Sequence, residues 1–253
     1  MQKIAIITGA TGGIGEAFVN TILEEDIDEI WALARNETKL TKLKINYGDK
    51  IRMLKCDLGS SKDIQGIGEL LKKEKPNVRI LVNNAGMAKM GKYSDFSSVD
   101  ISDTIDVNCK AICLLCHYVI PYMKHGSRIL NISSASSFQP NPYINLYSAS
   151  KVFVRSYSRS LNYELKGTGI VCTAVCPGWV DTEMLAREQD GNKIKFPGIV
   201  SAERVARQAM KDSAKGRDMS VCSLFVKYEH FISKILPQKW IMDIWVKGIR
   251  DYV

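Results

Sequence analysis

Thr8-Gly-Ala-Thr-Gly-Gly-Ile-Gly15 follows a short apolar run, Ile4 to Ile7, and leads into a segment where Ile14, Phe18 and Ile22 recur every fourth residue. The run reads as a buried strand and the recurrence as one apolar face of a helix. The chain must turn sharply between them, and glycine permits both the turn and a close approach of helix to strand. A glycine turn alone is as often structural as functional, so its meaning depends on what surrounds it.

Outward from this turn the pattern repeats. Residues 3–7, 29–34, 51–56, 79–82, 128–132 and 170–176 read as strands. Residues 38–47, 61–73, about 101–123 and about 146–165 read as helices. Strand–helix–strand units with short links demand a parallel sheet covered by helices on both faces. Right-handed crossovers make this a doubly wound, Rossmann-type α/β fold, whose ligand site lies at the carboxyl ends of the strands. No linker or internal repeat divides the chain, so residues 1–253 are read as a single domain.

In such a fold the turn acquires a chemical meaning. Gly9, Gly13 and Gly15 let the backbone approach a pyrophosphate, and the helix N-terminus offers N–H groups and a positive dipole end to it. The second strand ends Leu33-Ala34-Arg35-Asn36. An acidic residue near Ala34 would bind a ribose 2′-hydroxyl. Alanine removes the repulsion toward a 2′-phosphate, and Arg35 is placed to grip one. The expected cofactor is therefore NADP(H) in preference to NAD(H); the plainer reading makes Arg35 a surface charge. Asp57 follows the third strand and is placed to accept from an adenine amino group. Its plainer role is to cap the next helix, which Ser60 and Ser61 do more naturally.

Tyr147 and Lys151 lie one helical turn apart and share a face of their helix. A phenol is a poor base at neutral pH, and lowering its pKa by about three units requires ~4 kcal/mol. One ammonium about 4 Å away supplies roughly that at an effective dielectric of ~20. An exposed surface pair is the plainer reading of Tyr-x-x-x-Lys. Ser134, at the end of a strand, is placed to hold a substrate oxygen, and Asn108, on the long helix, to carry a water linking Lys151 to solvent. The neighbouring Ser133, Ser136 and Ser137 read as turn formers.

These residues resemble the short-chain dehydrogenase/reductase family over about residues 3 to 222. The Thr8-Gly-x-x-x-Gly-x-Gly15 turn, Asn83-Asn84-Ala85-Gly86, Asn108, Ser134, Tyr147-x-x-x-Lys151 and Pro177-Gly178 occur in that family's order. The resemblance implies a seven-stranded sheet in the order 3-2-1-4-5-6-7 and a catalytic tetrad of Asn108, Ser134, Tyr147 and Lys151. It also implies that Asn83 to Gly86 line the cofactor groove. Lys151 would bind nicotinamide-ribose hydroxyls, and Val180 and Thr182 the carboxamide. With Thr11, Ile14, Leu58, Pro177 and Gly178, these complete the expected cofactor contacts. It implies dimers through the helices carrying Asn108 and Tyr147, often paired into tetramers. Gly12 departs from many NADP-binding members, which carry a basic residue there, leaving Arg35 largely alone. Trp179 is bulky beside the nicotinamide loop. The glycine spacing and chain length disfavour the family's extended branch.

Composition is compatible with this. The chain has 45% hydrophobic and 25% charged residues and a net charge of +8. Its lysines and arginines are spread along the whole length, which reads as a solvated surface that attracts an anionic cofactor, with no nucleic-acid partner. No signal peptide or bilayer-length apolar stretch is visible, which points to the cytoplasm. Seven cysteines include Cys109, Cys113 and Cys116 on one helical face, followed by His117. Thiolates and imidazole bind zinc, but buried free thiols are the plainer reading and no metal is expected.

Residues 183–200 read as a substrate lid with hinges at Gly191 and Gly198. In the tail, about residues 227–253, Tyr228, Phe231, Ile232, Ile235 and Leu236 form one apolar face. Pro237 interrupts it, and Trp240, Ile241, Ile244, Trp245 and Ile249 form another. This tail packs on the fold or a second subunit, walls a pocket for a large apolar substrate, or lies on a membrane surface. The expected activity is carbonyl reduction or alcohol oxidation on a fairly bulky, hydroxysteroid-like small molecule. The alternatives are a 3-oxoacyl thioester reductase and, from another class, a dinucleotide-sensing regulator without turnover, against which Tyr147 beside Lys151 argues.

Overall fold

A computed structural model describes residues 1–183, 185, 188–189, 192–193 and 196–249 of the chain, with 188–189 and 192–193 by their backbone alone. The first apolar run forms β1, Lys3–Thr8, and its side chains alternate between two cores. Ala5 and Ile7 join Phe18 and Ile22 of helix α1, Gly13–Ile22, on one face. Ile4 and Ile6 join the opposite core. Strand β2, Glu29–Ala34, splits likewise, with Ile30 and Ala32 on the first face and Trp31 and Leu33 on the second. Runs of apolar residues without polar alternation are what a strand buried on both faces requires.

The further strands are β3 at Ile51–Lys55, β4 at Asn77–Asn83, β5 at Met123–Ile132, β6 at Val171–Val175 and β7 at Met219–Ser220. All pair in parallel in the order β3-β2-β1-β4-β5-β6-β7. This is the seven-stranded doubly wound arrangement expected, in one domain. The strand order reverses between β1 and β4, and that reversal opens the crevice used below. Helices α2 (Glu37–Tyr47) and α7 (Ala202–Ala214) cover the face of α1. Helix α3 (Ser61–Glu74) and the long helix α6 (Asn145–Glu164) cover the other.

The expected continuous helix over residues 101–123 is instead three pieces. Helix α4, Ser98–Ile105, starts earlier, because Ser97 accepts from the Asp100 N–H and Asp100 accepts from the Ser97 N–H. A π-helical turn, Asp106–Lys110, follows and carries Asn108. Helix α5, Ala111–Val119, then ends just ahead of Pro121. Strand β5 accordingly begins at Met123 rather than at residue 128. Beyond the sheet, α8 (Leu224–Ile235) and α9 (Gln238–Gly248) are separated at Pro237, as the tail pattern suggests. The expected lid is bracketed by Val180–Asp181 pairing with Val200–Ser201. Part of it, including Gly191, lies outside the described residues, while Gly198 has the positive φ of +67° suited to a bend.

Candidate active site

One cavity of about 730 Å³ opens at the carboxyl ends of the strands. Every cofactor or catalytic candidate read from the sequence lines it except Gly15, Asn83 and Asn108. The glycine turn forms one end. Gly9 has φ +61°, and a Cβ there would lie 3.0 Å from the Ala85 Cα. Gly13 has φ +48°, with Thr182 Cγ2 at 2.9 Å from such a Cβ. Gly15 stands behind the wall: its Cβ would lie 2.0 Å from the Gly9 carbonyl oxygen, so helix and turn touch there through bare backbone. No side chain caps α1, whose N-terminus faces this cradle. Uncapped N–H groups beside a surface that side chains would fill fit the pyrophosphate of a dinucleotide.

Thr8 holds this end together. Its Oγ1 accepts from the N–H groups of Asn84 and Ala85 at 3.0 Å each, and the Asn84 amide donates back to the carbonyls of Thr8 and Gly9. The two turns that meet at the reversal of strand order are thus bonded directly. Asn83 turns inward, donating to Asn131 Oδ1 at 2.8 Å, so the groove is lined by Asn84, Ala85 and Gly86 but not by Asn83. The alternation along β4 explains this, since adjacent residues leave a strand on opposite faces.

At the end of β2, Arg35 is exposed and lines the cavity, as does Lys39 in the first turn of α2. Neither side chain has an ion-pair partner among the described residues. Arg35 is therefore not alone in offering positive charge. Asp57 accepts from the Gly59 N–H at 3.0 Å, and Ser60, as expected, caps α3. Asp57 and Leu58 still face the cavity.

At the centre, Tyr147 and Lys151 project from α6 into the same space as Ser134. Lys151 is only 3% exposed. Its Nζ donates to the Ile132 carbonyl at 2.8 Å and lies 5.5 Å from the centre of the Tyr147 ring. Burial lowers its pKa to about 8. The Tyr147 phenol is pushed above its ordinary value by burial, while the Ser134 hydroxyl pulls the other way. This corrects the expectation that the lysine acidifies the phenol in the protein by itself. The ammonium lies over the ring and bonds the Ile132 carbonyl, and desolvation outweighs it. A protonated phenol next to a serine hydroxyl is suited to giving a proton to an oxygen held between them.

Asn108 lies behind Gly86, fully buried. Its Oδ1 accepts from the Met87 N–H at 2.8 Å, and its Nδ2 donates to the Met87 carbonyl and to Ser150 Oγ. A Cβ on Gly86 would lie 3.2 Å from Lys151 Nζ and 3.3 Å from Asn108 Oδ1. The amide thus fixes the loop after β4 against α6.

The remaining walls come from the tail. Helix α8 supplies Phe225, Val226 and Glu229, and α9 supplies Trp245. Trp245 donates to the Pro142 carbonyl at 2.9 Å and stacks 6.4 Å from Trp179, which in turn packs on Phe196. The tail thus packs on the fold, the first of the three readings, and in doing so lines the cavity. The expected apolar faces are largely turned outward: Tyr228, Phe231, Ile235, Trp240 and Ile244 are exposed, while Val226, Ile241 and Ile249 are buried. Arg250 lies outside the described residues. The sequence reading quoted Thr8 within the glycine turn without giving it a role, and it missed Lys39 and Glu229. Of these two, Lys39 carried a signal, standing four residues after Arg35.

Cys116 is buried and Cys109 and Cys113 half-buried, with burial raising all three thiols, that of Cys116 to about 12. Thiols held protonated are poor metal ligands. Among the described residues, no group of three His, Cys, Asp or Glu side chains could hold a metal, and no helix is long and apolar enough to cross a membrane.

A family model described as short chain dehydrogenase matches residues 3–193. The very-long-chain 3-oxoacyl-CoA reductase of Anas platyrhynchos is 30% identical over 260 residues, which cover 96% of this chain and 78% of that protein. A short-chain dehydrogenase from Sphingobium yanoikuyae in complex with NADPH superposes with a TM-score of 0.76 at 24% identity, covering 99% of this chain and 96% of that one. A short chain dehydrogenase/reductase from Burkholderia phymatum in complex with NAD superposes at 0.77 and 21% identity, covering 92% and 95%.

Proposed function

The chain belongs to the short-chain dehydrogenase/reductase family of oxidoreductases, and we propose that it is an NADP(H)-dependent reductase of bulky, largely apolar ketones or aldehydes, with alcohol oxidation as the reverse. One observation carries the reading. The glycine cradle, the Ser134–Tyr147–Lys151 group and an aromatic wall built from Trp179, Phe225 and Trp245 share a single cavity.

A nicotinamide dinucleotide held along the groove would supply the hydride. The chain's own residues do the rest. Ser134 holds the substrate carbonyl oxygen through its hydroxyl. Tyr147, kept protonated by burial, gives its proton to that oxygen. Lys151 stabilises the phenolate left behind and meets the ribose hydroxyls. Asn108 ties the loop after β4 to Ser150, the neighbour of Lys151 on α6. Val180 and Thr182 bind the carboxamide, and Asp57 the adenine edge. Arg35 and Lys39 support the preference for a 2′-phosphate by offering two cations without ion-pair partners among the described residues. Glu183, Leu185 and Pro197, which line the cavity, are placed to cover the substrate.

A 3-oxoacyl thioester reductase is the second reading, favoured by the Anas platyrhynchos relative. Following NADPH oxidation with ketosteroids, other bulky ketones, 3-oxoacyl thioesters and small aldehydes separates the two. The proposal expects the bulky ketones to give the highest kcat/KM, and exclusive use of thioesters would overturn it. A homodimer through α4, α5 and α6 is also proposed, because Ile101, Ile105, Val152 and Phe153 form exposed apolar surface there. Light scattering should give twice the chain mass or a multiple of it, and a monomer at micromolar concentration would contradict this.

A further inference from the structure

Helix α8 faces the cavity with Phe225 and Val226 and, one turn on from Phe225, with Glu229. Two of these suit an apolar substrate. The third is a half-buried carboxyl with no hydrogen bond or ion pair among the described residues. The other charged groups on the cavity wall do not serve it. Lys151 bonds the Ile132 carbonyl, and Lys89 pairs with Asp100 at 2.7 Å. Arg35 and Lys39 stand at the far strand, β2 and its following helix. Burial alone lifts the Glu229 pKa, with no cation acting against it.

Solvent meets this half-buried carboxyl in the absence of ligand, and a ligand that displaces the solvent must supply a partner or leave the carboxyl unsatisfied at a cost. A leucine or methionine would close this wall at lower cost, and every apolar neighbour shows that the fold can supply one. The carboxyl is therefore a group whose partner arrives with the ligand. We propose that Glu229 is a specificity-determining residue that accepts a hydrogen bond from a donor group, a hydroxyl or an amine, on a part of the substrate other than the reacting carbonyl. The reacting carbonyl belongs to Ser134 and Tyr147, so the substrate is bifunctional: a carbonyl at one place and a donor at another on an otherwise apolar body. A simple acyl chain offers no such donor, and an anionic group in this position is repelled. The inference rests on the ketone-reducing reading above.

The test uses a bulky cyclic ketone carrying a ring hydroxyl, its amino counterpart, and the same ketone with neither group. Each is offered to the wild type, Glu229→Gln and Glu229→Leu. Turnover is followed by NADPH oxidation, and binding by quenching of tryptophan fluorescence in the NADP-loaded protein. The wild type should prefer a donor-bearing ketone by about tenfold or more in kcat/KM, expressed in KM. Glu229→Leu should erase that preference while keeping kcat on the plain ketone, and Glu229→Gln, which keeps an acceptor, should retain part of it. A purely structural role would lower all three substrates alike. An unchanged donor preference in Glu229→Leu, or none in the wild type, overturns the proposal. Donor-selective binding without any turnover keeps the Glu229 subsite and overturns the reductase reading. Turnover without selectivity does the reverse, and absence of both binding and turnover overturns both. The hydroxyl and amine arms show which donor the site takes.

Discussion

Gly12 and Gly15 stand in the same turn and answer a side chain in opposite ways. A Cβ on Gly15 meets the Gly9 carbonyl at 2.0 Å, and backbone cannot yield there as a flexible side chain can. Gly15→Ala should therefore weaken dinucleotide affinity by tenfold or more and lower Tm, as calorimetry would show. Gly12 has extended backbone, φ −161°, and nothing within 4 Å of its Cβ. Gly12→Arg should be tolerated and should raise the NADPH-over-NADH ratio of kcat/KM, while Arg35→Ala with Lys39→Ala should lower it, by about tenfold in each direction. An unchanged ratio in both proteins would remove the 2′-phosphate assignment. Lys151 gives a pH dependence. Its folded pKa of about 8 lies below the ordinary 10.5. Between these values the unfolded chain holds a proton that the folded chain has lost, so stability rises with pH through that window and the burial penalty is full below it. Without bound dinucleotide, Lys151→Met should exceed the wild type in unfolding free energy most at about pH 7. The gap should narrow toward about pH 10, by an amount on the order of 3 kcal/mol. A gap that widens would contradict the account. At this scale the sequence revealed residue types in a pattern. It could not show that Lys151 bonds a strand carbonyl or that the phenol is raised, because both depend on burial and on what β5 presents to α6.

Elements follow from sequence where period and punctuation agree. The strands at 29–34 and 51–55 and the break at Pro237 were legible because apolar runs and a proline mark them without ambiguity. The segment from Ser97 to Met123 was not. Its apolar period suggests one helix, but the Ser97–Asp100 cap, the π-turn at Asp106–Lys110 and Pro121 divide it. The π-turn has a consequence for the site, since it places Asn108 where its amide clamps Met87. The tail was legible as two amphipathic helices but not in its orientation, because its period is the same whether the apolar face points inward or outward. Trp245 joins it to the body through Pro142 and Trp179. Trp245→Ala should raise KM for bulky ketones severalfold while leaving the dinucleotide Kd unchanged, as steady-state kinetics and calorimetry would show. An equal loss for small aldehydes would point to general destabilisation instead.

Across the whole molecule, the sheet order reverses between β1 and β4, and the loops that leave those strands are joined by Thr8 and Asn84. That junction supports the cradle on one side. Strand β5 and helix α6 bring Ser134, Tyr147 and Lys151 to the other, and α8 and α9 complete the wall. The layered fold was legible because strands buried on both faces leave few alternatives once helices alternate with them. The cavity's third wall was not, since it depends on how the last two helices turn back over the sheet. The central claim is that the Tyr147 phenol passes a proton to a substrate oxygen beside a bound dinucleotide. Its most direct measurement is NADPH oxidation by Tyr147→Phe with the best ketone of the screen, alongside NADPH binding by calorimetry. The account predicts that turnover falls by about 10²–10⁴-fold while the NADPH Kd is unchanged. Turnover near the wild-type rate in a variant that binds NADPH normally would contradict it.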